Sequence, residues 1–243
     1  MRYALFSDIH ANIDAFDEVL ADIEATGVDK KLFLGDIVGY GPDPQVCIDR
    51  LLEVADVSLG GNHDWAAVGL TSADYFNPYA KAALDWTISQ LREDQVEFLK
   101  RTQPSLIYDG FQLAHSSPLA PAEWRYILNH QEALDNYPYI EHNLCFIGHS
   151  HQPLVIEYTT PQTVRVLRPS PLISLDPDIR YIVNIGSVGQ PRDSIVESCW
   201  VLFDSEERTV SFRRVPYDVE TVQRKMEAHD LPRYLIDRLA LGR

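Results

Sequence analysis

The chain has 243 residues, of which 45% are hydrophobic and 23% are charged, so its composition is that of an ordinary globular protein with one sizeable core. Its formal net charge of −15 argues against sequence-independent binding to a nucleic acid polymer or to an anionic membrane, because its long-range field repels phosphate. The same charge does not exclude a small phosphate-bearing substrate, since divalent cations bound in a site would dominate the local field.

The cysteines and the N-terminal segment indicate the cellular compartment. Cys47, Cys145 and Cys199 are far apart and form no Cys-x-x-Cys motif, so no disulfide framework is expected, which suits a reducing environment. The first apolar run, residues 3–6, is too short for a secretory signal, and no stretch is long enough to span a bilayer. We therefore expect a soluble, cytoplasmic protein.

The first third of the chain repeats a pattern of strand, polar cluster and helix. Short apolar runs predict three strands, at 3–6, 31–34 and 56–59. Asn12 is expected to cap a first helix that Gly27 ends, and Asp43 with Pro44 to begin a second. This alternation is typical of an α/β fold, in which ligands collect beyond the carboxyl ends of the strands.

The remaining two thirds contain helices at both ends and strands between them. Residues 77–101 read as helical, and we interpret 65–104 as a helical insertion beside the site. Asp109-Gly110 predicts a hairpin, and a further helical segment is expected from Trp124. Strands are predicted at 144–147, 154–158, 163–167, 181–185, 199–203 and 210–215, and helices at 217–229 and 232–241. With no linker in view, we expect one domain spanning 1–243.

Polar side chains follow the predicted strands and indicate a metal site. The cluster comprises Asp8, His10, Asp36, Asn62, His63, His115, His149 and His151. Carboxylate, imidazole and amide ligands without thiolates suit divalent Mn, Fe or Zn, and their number predicts two ions that share a bridging carboxylate. His149 and His151 are two residues apart, so in an extended segment both imidazoles would project from one face.

These motifs, in this order, resemble those of the calcineurin-like metallophosphoesterases. The resemblance rests on Asp8-Ile9-His10, Gly35-Asp36, Gly61-Asn62-His63-Asp64, His115, Gly148-His149-Ser150-His151 and Asn184-Ile185-Gly186-Ser187. It implies a four-layer αββα sandwich of two mixed β-sheets with a binuclear metal site at the strand ends. It further implies two divalent or mixed-valence metal ions (Mn, Fe or Zn), with Asp8, His10 and His151 on the first. Asn62, His115 and His149 would bind the second, and Asp36 would bridge the two.

The resemblance also implies an enzyme that hydrolyses a small phosphate mono- or diester, or a nucleotide, by attack of a metal-bridging hydroxide. His63 would then be catalytic, stabilising the transition state and protonating the leaving oxygen. Arg192 is a predicted phosphate clamp, the alternative being a surface ion pair. Asp64 would either orient His63 or point away at a helix start. Tyr40, Trp124 and Tyr126 would form either a platform for a substrate base or ordinary packing.

Other substrates and a non-enzymatic role are open alternatives. The segment 37–41 reads Ile-Val-Gly-Tyr-Gly, without the Arg-Gly pair that protein phosphatases and symmetrical diadenosine tetraphosphatases of the family usually carry there. That difference argues against a dinucleoside polyphosphate hydrolase and against a protein phosphatase. The chain more closely resembles prokaryotic metallophosphoesterases with a Gly-Tyr-Gly-Pro loop. A non-catalytic scaffold would be indicated by lost ligands, yet every ligand position is filled. The expected partner is a small phosphorylated substrate.

Overall fold

Strands and helices alternate over the first hundred residues, as the apolar periodicities predict. In the computed structural model, which describes residues 1–243, the elements of this half are β1 (Arg2–Phe6), α1 (Ile13–Thr26), β2 (Lys30–Phe33), α2 (Pro44–Val54), β3 (Val57–Ser58), α3 (Asn62–Ala67), α4 (Pro78–Gln90) and α5 (Glu93–Arg101). The Asn12 side chain accepts a hydrogen bond from the Ala15 N–H, and Gly27 ends α1, so both predicted caps are confirmed. Asp43 precedes α2 without capping it, because its carboxylate binds Lys225 instead.

Strands dominate the second half of the chain. They are β4 (Ser105–Tyr108), β5 (Phe111–Ala114), β6 (Leu144–Ile147), β7 (Leu154–Thr160), β8 (Thr163–Leu167), β9 (Ile173–Ser174), β10 (Arg180–Asn184), β11 (Ser198–Asp204) and β12 (Thr209–Val215). Helix α6 (His130–Asn136) lies between β5 and β6, and α7 (Val219–Ala228) and α8 (Arg233–Leu239) follow the last strand. The hairpin around Asp109-Gly110 and the two C-terminal helices are confirmed.

Two segments differ from their predicted structure. The predicted helix over 77–101 is two helices, because Leu91 and Arg92 are extended and the buried Gln95 side chain accepts a hydrogen bond from the Arg92 N–H. The helical segment expected from Trp124 is wrong: a short 3-10 helix (Pro121–Glu123) ends there, and Trp124 itself has a positive φ of 56°. This irregular segment reaches the candidate site, where the Trp124 carbonyl lies 2.9 Å from His149 Nε2.

The strands form two mixed sheets of six. The first has the order β3-β2-β1-β11-β12-β9 and the second β4-β5-β6-β10-β7-β8. Strands β1 and β2 run parallel, as do β5, β6 and β10, so several carboxyl ends meet at one edge of the paired sheets. This is the mixed α/β sandwich that the sequence predicts.

Side-chain alternation along the strands builds the layers. In β1, Tyr3 and Leu5 enter the core between the sheets, whereas Ala4 and Phe6 pack against the layer of α1 and α2. In β6, Leu144 and Phe146 share the inter-sheet core, and the alternate residues face α6. Successive strand residues point to opposite faces, so a strand buried on both sides reads as a continuous apolar run. None of the helices is both long and apolar enough to cross a bilayer.

The C-terminal helices cover the edge of the sandwich next to the polar strand ends. Their apolar side chains form a separate cluster with α4 and the loop after β2, comprising Tyr40, Ala80, Ala83, Val222, Met226, Leu231, Leu235, Ile236 and Leu239. Tyr40 is 7% exposed and lies in the Gly-Tyr-Gly-Pro loop. The last helices therefore support a loop that borders the candidate site.

Candidate metal centre

The strand ends bring all seven predicted metal-binding side chains together at one edge of the sandwich. Asp8 and His10 follow β1, Asp36 follows β2, Asn62 begins α3, and the remaining residues follow β5 and β6. Every one of these residues is at most 8% exposed: Asp8, His10, Asp36, Asn62, His115, His149 and His151. Buried polar groups in this number need partners, because an unpaired one costs about 1–3 kcal/mol.

Five of the seven residues have a left-handed backbone conformation. The φ angles are 55° for Asp8, 48° for His10, 60° for Asp36, 65° for His149 and 58° for His151. Such angles are uncommon for residues other than glycine and cluster at functional sites. The expected extended geometry of the His149–His151 pair is therefore wrong, since this segment bends sharply after β6. Both rings nevertheless reach the cluster.

Hydrogen bonds between neighbouring loops hold these conformations. The His10 N–H donates to the Asp36 carbonyl at 3.1 Å, which joins the loops after β1 and β2. The His149 N–H donates to Asp8 Oδ2 at 3.0 Å, which joins the loops after β6 and β1. The bends are thus fixed by hydrogen bonds between loops, one of which uses the Asp8 carboxylate of the site itself.

Backbone carbonyls orient each predicted imidazole ligand. His10, His115 and His151 each place Nδ1 by a carbonyl oxygen, and His149 places Nε2 there. The partners are Val38 (3.0 Å), Leu34 (2.8 Å), Gln190 (2.6 Å) and Trp124 (2.9 Å), respectively. A ring nitrogen that donates to a carbonyl leaves its other nitrogen unprotonated in the neutral ring. In its neutral form each of the four imidazoles therefore presents a lone pair to the centre.

The arrangement of these free atoms fits cations. His10 Nε2 and His151 Nε2 lie 3.2 Å apart with both lone pairs facing each other, an unfavourable contact that a cation would relieve. Asp8 Oδ1, Asn62 Oδ1 and His115 Nε2 are buried without a hydrogen-bond partner. Two sets of side chains, Asp8–His10–His151 and Asp36–His115–His149, each have ligand atoms within 4.8 Å of one another. The donor set suits Mn, Fe or Zn.

The electrostatics favour neutral rings, with one exception, and a charged Asp36 carboxylate. The exception is His115: burial alone would lower its pKa, but the Asp36 carboxylate beside it raises that pKa to about 9. Burial lowers the pKa of His149 to about 3 and that of His63 to about 4. Burial alone would raise the pKa of Asp36, but the nearby imidazoles of His115 and His63 outweigh it and hold that pKa well below its usual value. Neutral imidazoles beside an ionised carboxylate are the protonation states that metal ligation requires.

His63 lies between the centre and a neighbouring cleft. Its ring contacts the rings of Tyr40 (4.4 Å between centroids) and Phe76 (4.5 Å), and its Nδ1 has no hydrogen-bond partner. His63 also forms a third set of nearby ligand atoms with His10 and Asp36. Its position is compatible with the predicted contact to substrate.

Asp64 lies at the start of α3, as one of the two sequence expectations has it, and its carboxylate has an additional role. Its carboxylate accepts hydrogen bonds from the backbone N–H groups of Asp36 (2.8 Å), Ile37 (2.9 Å), Val38 (3.2 Å) and Gly61 (3.0 Å). It makes no hydrogen bond to the His63 ring; it belongs to the helix start, as the second expectation has it, and it also fixes the loop that carries Asp36. An acidic residue three positions after a glycine at a helix start is a capping signal, and this signal in the sequence could have indicated the role of Asp64.

Arg192 borders the centre and has no acidic partner. Its guanidinium donates to Gln190 Oε1 at 2.8 and 3.3 Å and lies 5.5 Å from the centroid of the Tyr40 ring. Since no carboxylate lies within ion-pair distance, the surface ion-pair alternative is wrong. Gln190, which sequence reasoning did not identify, connects two parts of the site, because its backbone carbonyl accepts from His151.

A cleft of about 460 Å³ opens directly beside the centre. Asn62, His63 and His149 form the wall that it shares with the centre, and aromatic side chains form much of the rest. The Tyr126 ring stacks on the His149 ring with centroids 4.1 Å apart. Tyr40, Trp124 and Tyr126 all line the cleft, as do Tyr75 and Phe76, which the sequence had not indicated.

Comparisons with known proteins agree with this architecture. A sequence profile of the calcineurin-like phosphoesterase superfamily domain matches residues 1–208. The chain is 36% identical over 246 residues to the uncharacterised protein MJ0912 of Methanocaldococcus jannaschii, covering 99% of this chain and 98% of that protein.

Solved structures give the same result. A crystal structure of a metallophosphoesterase from Sphaerobacter thermophilus is similar over 100% of this chain and 99% of its own, with a TM-score of 0.88 and 38% identity. The hypothetical protein PH1004 of Pyrococcus horikoshii OT3 shares the fold, with a TM-score of 0.79 and 20% identity over 100% of this chain and 98% of its own. The chain belongs to the calcineurin-like phosphoesterase superfamily, a metal-dependent family.

Proposed function

We propose that this protein is a phosphoesterase with two metal ions that hydrolyses a small phosphate mono- or diester or a nucleotide. The observation that carries the proposal is the set of seven buried side chains that converge at the strand ends, among which Asp8 Oδ1, Asn62 Oδ1 and His115 Nε2 have no hydrogen-bond partner. Membership of the superfamily supports hydrolysis of a phosphate ester in general terms. The proposal includes the identity of the metal ligands and of the substrate. It also includes a single domain that spans residues 1–243.

The proposed ligands divide between two positions. Asp8, His10 and His151 would hold one ion, Asn62, His115 and His149 would hold the other, and Asp36 would serve both. This division is supported by the two separate sets of ligand atoms and by the carbonyl oxygens that fix each ring. Divalent ions at such sites lower the pKa of water and neutralise the negative charge of a phosphate group.

The other residues of the site act on the phosphate directly. His63 is neutral near pH 7 and, in the proposal, donates a hydrogen bond from its ring to a phosphate oxygen, which stabilises charge in the transition state. Proton donation to the leaving oxygen would need a ring whose pKa rises when the anionic substrate binds. The Arg192 guanidinium, free of carboxylate partners, contacts the phosphate from the side of Tyr40.

Chelation tests this proposal. The purified protein is treated with a chelator, and its hydrolysis of bis(p-nitrophenyl) phosphate is measured before and after Mn²⁺ is added back. We expect activity to be lost and then restored, with chelator-free protein and Mn²⁺ without protein as controls. Activity that is indifferent to the chelator would contradict the two-metal mechanism, and no activity with any phosphate ester would favour the non-catalytic scaffold.

A further inference from the structure

The aromatic cleft beside the metal centre is not explained by packing of the fold. Tyr75 is 96% exposed and Tyr126 is 43% exposed, so neither ring contributes much to a hydrophobic core. Tyr75 lies between α3 and α4, and Tyr126 lies between the 3-10 helix and α6, yet both line the same cleft. Exposed aromatic rings collected from distant parts of the chain around one cavity are typical of a binding surface.

The cleft lies where the group attached to a phosphate would have to go. It shares His63, Asn62 and His149 with the metal centre, so a phosphate held at the centre would direct its ester substituent into it or out to solvent. A volume of about 460 Å³ is within the range of small-molecule sites and exceeds what a methyl or ethyl ester would fill.

The charge of the lining favours a neutral substituent. Among the lining residues Glu123 is the only carboxylate, it is paired with Arg125 at 2.5 Å, and there is no lysine or arginine. The lining itself offers a polyphosphate chain no lysine or arginine, whereas a flat neutral ring could stack on the tyrosine and tryptophan side chains.

Two side chains that line the cleft have hydrogen-bond donors without an acceptor. Asn77 uses Oδ1 to cap α4, and its amide nitrogen makes no hydrogen bond. Ser72 accepts from the Asp74 N–H, which leaves its hydroxyl hydrogen available. Ring nitrogens and exocyclic oxygens of a nucleobase are acceptors for such donors.

We infer that this cleft binds the base of a nucleoside, so that the substrates are nucleotides or nucleoside phosphodiesters. The inference rests on the proposed function for the position of the phosphate. It narrows the substrate class to esters with a heteroaromatic ring and disfavours dinucleoside polyphosphates, whose additional phosphates the cleft does not accommodate.

The test compares two ligands that differ only in the base. Affinities of the Mn²⁺-loaded, full-length protein for the non-hydrolysable 5′-methylenephosphonate analogues of AMP and of ribose 5-phosphate are measured by calorimetry. We expect the AMP analogue to bind about tenfold more tightly or better, since stacking of a base on aromatic side chains is worth at least about this factor. Equal affinities would overturn the inference.

Variants locate the effect in the cleft. Tyr75→Ala should reduce the preference for the AMP analogue several-fold and leave the affinity for the ribose analogue unchanged, because Tyr75 touches neither the proposed ligands nor Arg192. Tyr139→Ala, at a tyrosine that is 50% exposed and lies outside the cleft, is the matched control and should have no effect. A preference that survives in Tyr75→Ala, Trp124→Ala and Tyr126→Leu alike would overturn the assignment to this cleft.

Two further arms separate the alternatives. If phosphotyrosine is preferred over phosphoserine while the AMP analogue has no advantage, the cleft binds an aryl ester and the nucleoside assignment is wrong. Binding does not require turnover, so a preference for the AMP analogue in a protein that hydrolyses no phosphate ester would leave this inference standing while the proposed function fails. Hydrolysis of simple esters without any preference for the base would support the proposed function and overturn this inference.

Discussion

Individual residues at the centre are held by the backbone more than by one another. Each of the four imidazoles proposed as ligands has one ring nitrogen next to a carbonyl oxygen, and the Asp64 carboxylate accepts hydrogen bonds from four backbone N–H groups. The ligand atoms are therefore positioned before any ion binds. A site organised in this way loses little entropy on binding, which is the physical basis of its expected affinity.

Substitution of Asp64 should disrupt this organisation. In Asp64→Asn, one acceptor oxygen becomes an NH₂ donor facing backbone donors, so we expect a loss of about 3 kcal/mol in the free energy of unfolding and reduced metal content. Chemical denaturation and elemental analysis measure the two effects. Asp74→Asn, the same change at an exposed site, should alter neither. A variant at Asp64 with wild-type stability would show that its hydrogen bonds are dispensable.

Substitution of His63 should separate catalysis from metal binding. We expect His63→Ala to lower kcat about 100-fold to 1,000-fold, as for the loss of one donor to a transition-state oxygen, with metal content close to that of the wild type. His130→Ala, at an exposed histidine, is the control. Loss of one metal equivalent in His63→Ala would instead assign this imidazole as a ligand beside His10 and Asp36.

At the scale of elements, the strands and their polar ends could be predicted because apolar runs and the residues after them are local features. The left-handed bends at Asp8, Asp36 and His149 could not, since they depend on hydrogen bonds between loops that are distant in sequence. The break between α4 and α5 also depends on tertiary contacts: Gln95 Nε2 donates to the Gln45 carbonyl and to Asp49 Oδ1, both in α2. An acidic pair, Glu93 and Asp94, was the local sign of a helix start.

The C-terminal helices connect stability to the site through Tyr40. Leu235 of α8 is fully buried in the cluster that contains Tyr40, whose ring lies 4.5 Å from that of His10. We expect Leu235→Ala to lower the free energy of unfolding by about 3 kcal/mol, the usual cost of a buried leucine, and to weaken substrate binding as the Tyr40 loop loosens. Leu241→Ala, at a residue 53% exposed, should change both by little. Unaltered KM in a destabilised Leu235→Ala would show that the helices do not influence the site.

Taken as a whole, the molecule concentrates cation-binding groups in a strongly acidic chain. The net charge of −15 attracts divalent cations and repels polyanions at long range, so charge would favour the proposed small ester over a nucleic acid polymer. The family, the two-sheet architecture and the clustering of the predicted ligands could all be inferred from motif order. The aromatic cleft could be inferred only in part: Tyr40, Trp124 and Tyr126 were candidates for such a platform, but Tyr75 and Phe76 come to line the same cavity only in the folded chain.

The number of metal ions bound per chain tests the central claim most directly. After reconstitution with Mn²⁺ and removal of free metal, elemental analysis should find about two equivalents per chain, as expected for a two-metal site. In Asn62→Ala, which removes a ligand of one ion only, we expect about one equivalent for the same reason. One equivalent or none in the wild-type protein would contradict the proposed binuclear centre.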